Sequence, residues 1–228
     1  MNGKQIFRIV IDLAMTVILL LLVGYSRIGA LAHEWLGISM FILFIVHHIL
    51  NRKWITGLFK GKYTPFRILQ AVLVILILCT MFGSAVSCVT LSRYIFSFIK
   101  LGGTSLARTV HMLCGYWNYV LLPLHLGLHW VMMVNMVSKS LLKDKPAGKW
   151  IARVIAMTIA GYGVFAMISR QMPQYLTGTI KFAFIDTSEP IIKYLTDYIS
   201  IMVLFVFIGH YLAKIIKVVS KKDVKAIK

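Results

Sequence analysis

Six long apolar runs, separated by short basic connections, organise this chain. They cover 7–24, 30–51, 66–86, 105–137, 151–169 and 198–218, each near or beyond the ~18 residues that cross a hydrocarbon layer. A run of that length in lipid satisfies its backbone polar groups as an α-helix. The fourth run contains Pro123, which predicts a kink. Between the third and fourth runs, 88–104 is too polar to cross. It sets Leu91, Tyr94, Ile95, Phe96 and Phe98 beside Arg93 and Lys100, the mixture of a segment lying in the interface. The stretches 52–65 and 139–153 are basic connections, and 170–197, with Pro173, Asp186, Glu189 and Asp197, is the longest. The pattern predicts an all-α membrane protein, six transmembrane helices in a single integral membrane domain over 1–228.

Composition supports that reading and narrows it. The chain is 59% hydrophobic with a mean hydropathy of +0.83, too apolar for a soluble domain of this length. Its net charge of +18 would suit nucleic acid, but the bases gather at the ends of apolar runs, which speaks for a lipid bilayer and against a nucleic-acid partner. With the N-terminus in the cytoplasm, eighteen Lys and Arg residues fall on the inner side and seven on the outer. Both termini are therefore expected inside. Lys4 and Arg8 precede the first run, which lacks a small-residue cleavage site and reads as a retained span. Cys79, Cys88 and Cys114 form no knuckle and no C-x-x-C-H attachment site, so a haem here would be held non-covalently.

The histidines change the picture from a membrane protein to a redox protein. All seven lie within or at the edge of apolar runs. His33 and His47 are fourteen residues apart in the second run, and His111 and His125 repeat that spacing in the fourth. Fourteen helical steps advance a side chain by roughly 21 Å and leave it within about 40° of its starting direction. Each pair therefore shares a face at two depths, and the expected topology runs both helices the same way. His33 then matches His111 in depth near the outer surface, and His47 matches His125 near the inner one. A single membrane histidine is ordinarily a packing or proton-relay residue; two copies of one spacing, paired in depth, predict a di-haem helical bundle with two bis-His haem b groups. Two axial imidazoles leave iron no open position for oxygen chemistry, which suits electron transfer.

Neighbouring residues take supporting roles. Gly37 and Gly115 each lie four residues after the outer ligand of their helix, making room either for a porphyrin face or for close helix packing. Arg108 lies one turn outward of His111, where it can pair with haem propionates. His129, one turn beyond His125, is an alternative ligand, though a propionate or quinone contact suits its depth better. His48 is turned about 100° from His47 and faces away, and His210 reads foremost as a packing residue. Asp12, an acid inside the first run, is a functional candidate by default, for example as a proton acceptor near an inner quinone. Trp35, Trp54, Trp117, Trp130 and Trp150 mark the two interfaces.

HEWLG from His33, HHILNRKWI from His47 and HLGLHW from His125 resemble the bacterial cytochrome-b-like membrane proteins, formerly of unknown function, that accompany extracytosolic FMN-binding flavoproteins. The doubled spacing is also similar to that of respiratory cytochrome b and of ferric reductases. The resemblance implies an electron-transfer subunit of an oxidoreductase system in the bacterial plasma membrane, passing electrons between the quinone pool and an outer flavoprotein. No G-x-G-x-x-G nicotinamide fingerprint occurs. Two readings from other classes stand beside it: a transporter or metal permease with histidines along its pathway, and a haem-free assembly subunit in which they only pack.

Overall fold

The computed structural model describes the chain apart from residues 1–2, 59, 61–62, 100, 142–145, 183–185 and 227–228, with no side chains described at 133–147, 149 and 221–226. Lys100 of the interfacial stretch and much of the basic connection at 139–153 therefore lie outside the described residues. Among the described residues all regular structure is helical: α1 (Gly3–Val23), α2 (Tyr25–Ile28), α3 (Ala30–Leu50), α4 (Arg52–Leu58), α5 (Pro65–Leu91), α6 (Thr104–Leu141), α7 (Pro146–Ser169), α8 (Met172–Leu176) and α9 (Ile191–Ala226). Five of them hold segments long and apolar enough to cross a membrane: Gly3–Val23, Ala30–Leu50, Pro65–Leu91, Trp150–Ser169 and Ile191–Ser220. The protein is a multi-pass membrane protein. The fourth expected span lies in α6, which is 38 residues long; its side chains are described only as far as Met132, so the end of that expected span lies outside the described residues.

Two further differences from the sequence reading have local causes. The connection at 52–65 contains α4. Asp197, expected in an exposed connection, lies inside α9 and is 4% exposed. Arg170 donates to its Oδ2 from Nε at 2.9 Å and from a terminal nitrogen at 2.7 Å, and the Tyr162 hydroxyl donates to Oδ1 at 2.5 Å. A carboxylate so fully partnered can be buried, and α9 extends past it to Ile191.

The chain forms two compact units. The first comprises Met1–Gly61, Leu78–Tyr119 and Gln171–Ile191; the second comprises Lys62–Ile77, Val120–Arg170 and Ile192–Lys228. In the first, α1 turns Ile11, Met15 and Leu19 inward at helical spacing, and α3 contributes Met40 and Phe44. The opposite face of α1, with Phe7, Val10, Leu13 and Val17, is exposed, as lipid-contacting helices require. In the second unit, helix contacts rest on small residues. A Cβ at Gly127 would meet the Val206 carbonyl and the Gly209 backbone, and one at Gly209 would meet the Leu124 carbonyl. Lipid gives helices no hydrophobic drive to associate, so such backbone approach supplies the packing.

Glycines 161 and 163 of α7 make this testable. A Cβ at Gly163 would collide with the Ser200 carbonyl, whereas one at Gly161 would meet nothing within 4 Å. Gly163→Ala is expected to cost roughly 1–3 kcal/mol, as overpacking does. Gly161→Ala should be neutral or stabilising by up to about 1 kcal/mol through helix propensity. Thermal unfolding in detergent, followed by circular dichroism, separates the two.

Candidate functional site

His33 and His111 meet within the first unit. Gly29, at φ 81°, turns the chain between α2 and α3 in a conformation that favours glycine. The turn brings the Tyr25 ring edge-on to His33, with centroids 5.1 Å apart. The centroids of His33 and His111 lie 6.0 Å apart, with planes at 68°.

A ladder of polar side chains between α5 and α6 fixes His111. Thr80, Ser84 and Ser87 recur at helical spacing on α5, facing His111 and Asn118 on α6. Thr80 donates to Asn118 Oδ1 at 2.5 Å, and Asn118 Nδ2 donates to Ser84 Oγ at 3.2 Å. Nδ1 of His111 lies 3.2 Å from the Ser84 carbonyl and 3.2 Å from Ser87 Oγ. The carbonyl can only accept, so Nδ1 carries the proton and Nε2 is left as the lone-pair nitrogen. Ser87 is consistent with this: its hydroxyl donates to the Gly83 carbonyl at 2.6 Å, leaving its oxygen to accept. A Cβ at Gly83 would lie 2.6 Å from Cys114 Sγ, so glycine there permits the close approach of α5 and α6.

His47 is held in the same way by a different acceptor. Its Nδ1 donates to Asp12 Oδ1 at 2.7 Å, and Thr16 closes the adjacent turn of α1 onto the Asp12 carbonyl. Asn51 Nδ2 lies 3.4 Å from His47 Nε2, a weak contact, and also donates to the His47 carbonyl at 2.9 Å. Arg8 donates to the Leu50 carbonyl at 2.7 Å, further pinning α1 to the end of α3.

The remaining histidines sort by partner. His48 donates from Nδ1 to the Phe44 carbonyl of its own helix at 2.9 Å, and its ring lies tilted against that of Phe44, with centroids 4.3 Å apart. His125 and His129 belong to the second unit, with ring centroids 5.0 Å apart. Nε2 of His129 accepts from Gln70 at 3.3 Å. His210 packs edge-on against Tyr211. Arg108 is exposed, its guanidinium 5.1 Å from the Phe182 ring centroid. Cys79, Cys88 and Cys114 are thiols.

The spacing of His33 and His111 suits two imidazoles that would share one metal, since two nitrogen bonds of about 2 Å set ring centres roughly 6–6.5 Å apart. The protonated Nδ1 of His111, tied to a carbonyl, is the arrangement that orients a ligating imidazole. The Leu22 carbonyl approaches the His33 ring, yet Nδ1 of His33 is buried with no hydrogen-bond partner. Gly37 and Gly115, four residues beyond these histidines, would carry a Cβ with nothing within 4 Å. Of the two roles expected for those glycines, close helix packing is not the one seen. Among the described residues no group of three or more His, Cys, Asp or Glu side chains could hold a bare metal ion.

Sequence reasoning missed Glu34. Its carboxylate accepts from Ser92 Oγ at 2.7 Å and from the amides of Arg93 at 2.7 Å, Tyr94 at 3.3 Å and Ile95 at 3.0 Å. One side chain next to His33 thus holds the interfacial stretch onto α3, and leaves Tyr94 and Phe98 exposed. Arg27 does the same for the later connection, donating to the carbonyls of Asp186 at 2.9 Å and Glu189 at 2.8 Å. The Ser188 hydroxyl and amide hold the Asp186 carboxyl below its usual range.

No family model matches the chain, and neither any curated protein nor any solved structure matches it.

Glu34→Gln keeps the size of this clamp and removes its charge. Charge-assisted hydrogen bonds contribute about 1.5–3 kcal/mol. The variant is therefore expected to open the 92–99 segment, with cleavage there by a broad protease at least tenfold faster and the helices left intact. Unchanged cleavage would show that the clamp contributes nothing to holding the loop.

Proposed function

We propose that this chain is a di-haem b electron-transfer subunit, a six-span bundle of the bacterial plasma membrane with both termini in the cytoplasm. The observation that carries the reading is the His33–His111 pair: two rings 6.0 Å apart, one with its tautomer set by Ser84 and Ser87. Those two histidines would hold the outer haem, and the repeated fourteen-residue spacing makes His47 and His125 the residues that would hold the inner one. The His129 contact with Gln70 and the His48 contact with its own helix leave both in supporting places.

Haem, when bound, supplies reversible one-electron exchange at its iron. The protein's work is to hold and shield it. His111 presents Nε2 because its other nitrogen is committed to Ser84, and apolar helices keep water from the iron. Arg108 is the cation for the outer propionates, and His129 serves an inner propionate or a quinone. Electrons pass between the quinone pool and an extracytosolic FMN-binding flavoprotein, a partner taken from the family resemblance. The exposed Arg93 and Arg108 favour an anionic partner on the outer face. For the metal-permease reading, no group of three or more His, Cys, Asp or Glu side chains that could hold a metal ion occurs among the described residues.

Dithionite-reduced minus oxidised spectra of the purified protein are expected to show b-type bands from two haems per chain. His33→Ala and His111→Ala should each remove one haem, and Gly115→Leu should remove the same haem with helix content unchanged. Absence of b-type bands from haem-replete cells would reject the proposal, and retention of both haems in Gly115→Leu would reject the placement.

A further inference from the structure

Four cations converge at one end of the second unit. The Arg67 guanidinium of α5 lies 4.7 Å from the Tyr63 ring centroid, and that of Arg153 in α7 lies 5.4 Å from the Trp150 ring. On α9, the Lys214 ammonium lies 6.0 Å from the Tyr211 ring, and the Lys217 ammonium lies 4.0 Å from the Phe66 ring of α5. Phe66 adjoins Arg67, so α5 and α9 meet there. Lys214 and Arg153 both act electrostatically on His210, which brings α7 to the same place. Bases at the ends of spans are ordinary in a membrane protein, but that rule does not require three helices to bring them together. An aromatic face attracts a cation without neutralising it, so the charge stays available to an anion. Among the described side chains of this unit Asp197 is the one acid. It is committed to Arg170 and Tyr162, and it lies seventeen residues before Lys214 in α9, about 25 Å away along the axis.

The surroundings select among anions. Lys214, Lys217 and Arg153 are exposed, and beside them Ile151 and Val154 of α7 and Ile215 and Val218 of α9 are exposed by half or more. A soluble anion has no use for that apolar surface, whereas a phosphate carried on acyl chains uses both. We infer that this end of the second unit binds an anionic phospholipid. Its phosphate is held by Lys214, Lys217 and Arg153, with Arg67 alongside, and its chains lie on the aliphatic side chains of α7 and α9. Ammonium and guanidinium groups donate charge-assisted hydrogen bonds to phosphate oxygens, and basic positions between membrane helices hold such headgroups. The inference is independent of the haem reading and rests on the multi-pass membrane character of the chain.

Native mass spectrometry of the protein in mild detergent, titrated with dioleoyl phosphatidylglycerol or dioleoyl phosphatidylcholine, compares lipids that differ in headgroup charge and share their chains. Phosphatidylglycerol is expected to bind roughly tenfold more tightly or better. Lys214→Gln with Lys217→Gln should weaken that binding by roughly tenfold or more, at about fivefold for each cation removed, and leave phosphatidylcholine binding unchanged. Lys214→Arg with Lys217→Arg keeps both charges and should retain the preference. Arg52→Gln with Lys53→Gln removes two exposed cations of α4 in the first unit and should also retain it. If the glutamine pair in α9 loses helix content, Arg153→Gln supplies the reading: weakening of about fivefold supports the inference and none overturns it. Equal binding of the two lipids would overturn it, as would equal losses in the α4 and α9 glutamine pairs, which indicate diffuse charge rather than a site. Displacement of the lipid by millimolar inorganic phosphate would overturn the lipid assignment in favour of a free anion.

Discussion

A hydrogen bond from Nδ1 of His111 to the Ser84 carbonyl, 3.2 Å long, determines what the paired histidines can do. An imidazole in an apolar helix bundle has two nitrogens that need partners, and water is not there to serve them. With Nδ1 committed to α5, the proton cannot move to Nε2 without leaving a buried donor and a buried acceptor unpaired, at about 1–3 kcal/mol for each such group. Thr80, Asn118 and Ser87 extend that bond into a ladder, so the orientation of one ring is set by two helices. His33 is brought opposite by the turn at Gly29. It has no comparable tether on Nδ1.

The same logic repeats at His47 with a carboxylate in place of a carbonyl. His47 and His111 are thus prepared alike, with the proton on Nδ1 and the lone pair on Nε2, by acceptors of different charge. Metal ligation, as proposed for both, would use the lone pair that this tautomer leaves on Nε2. Glu34 extends the arrangement to the surface: the residue after His33 holds the segment carrying Tyr94 and Phe98, so the covering loop and the ligand share one stretch of α3.

Much of this was legible in the sequence, and the illegible part has a common cause. Run length and composition located the apolar helices, and the fourteen-residue spacing singled out His33 and His111 before any contact was known. Ser84, Ser87, Thr80 and Glu34 gave no such signal. Single polar residues in a membrane helix have no period to reveal them, and their partners lie 24 to 61 residues away in sequence. Asp12 was visible as an anomaly, but its partner His47 lies 35 residues on. Asp197 was misplaced because an acid reads as exposed unless its Arg and Tyr partners are known.

His33 and His111 are proposed to hold one iron between them. Low-temperature electron paramagnetic resonance of the oxidised protein tests it most directly, because two imidazoles enforce low-spin ferric haem and loss of one permits high spin. The account predicts low-spin signals only in the unmodified protein. His33→Ala and His111→Ala should each convert or abolish the same low-spin signal and leave the other intact. Two different signals affected by the two substitutions, or neither affected, would contradict it.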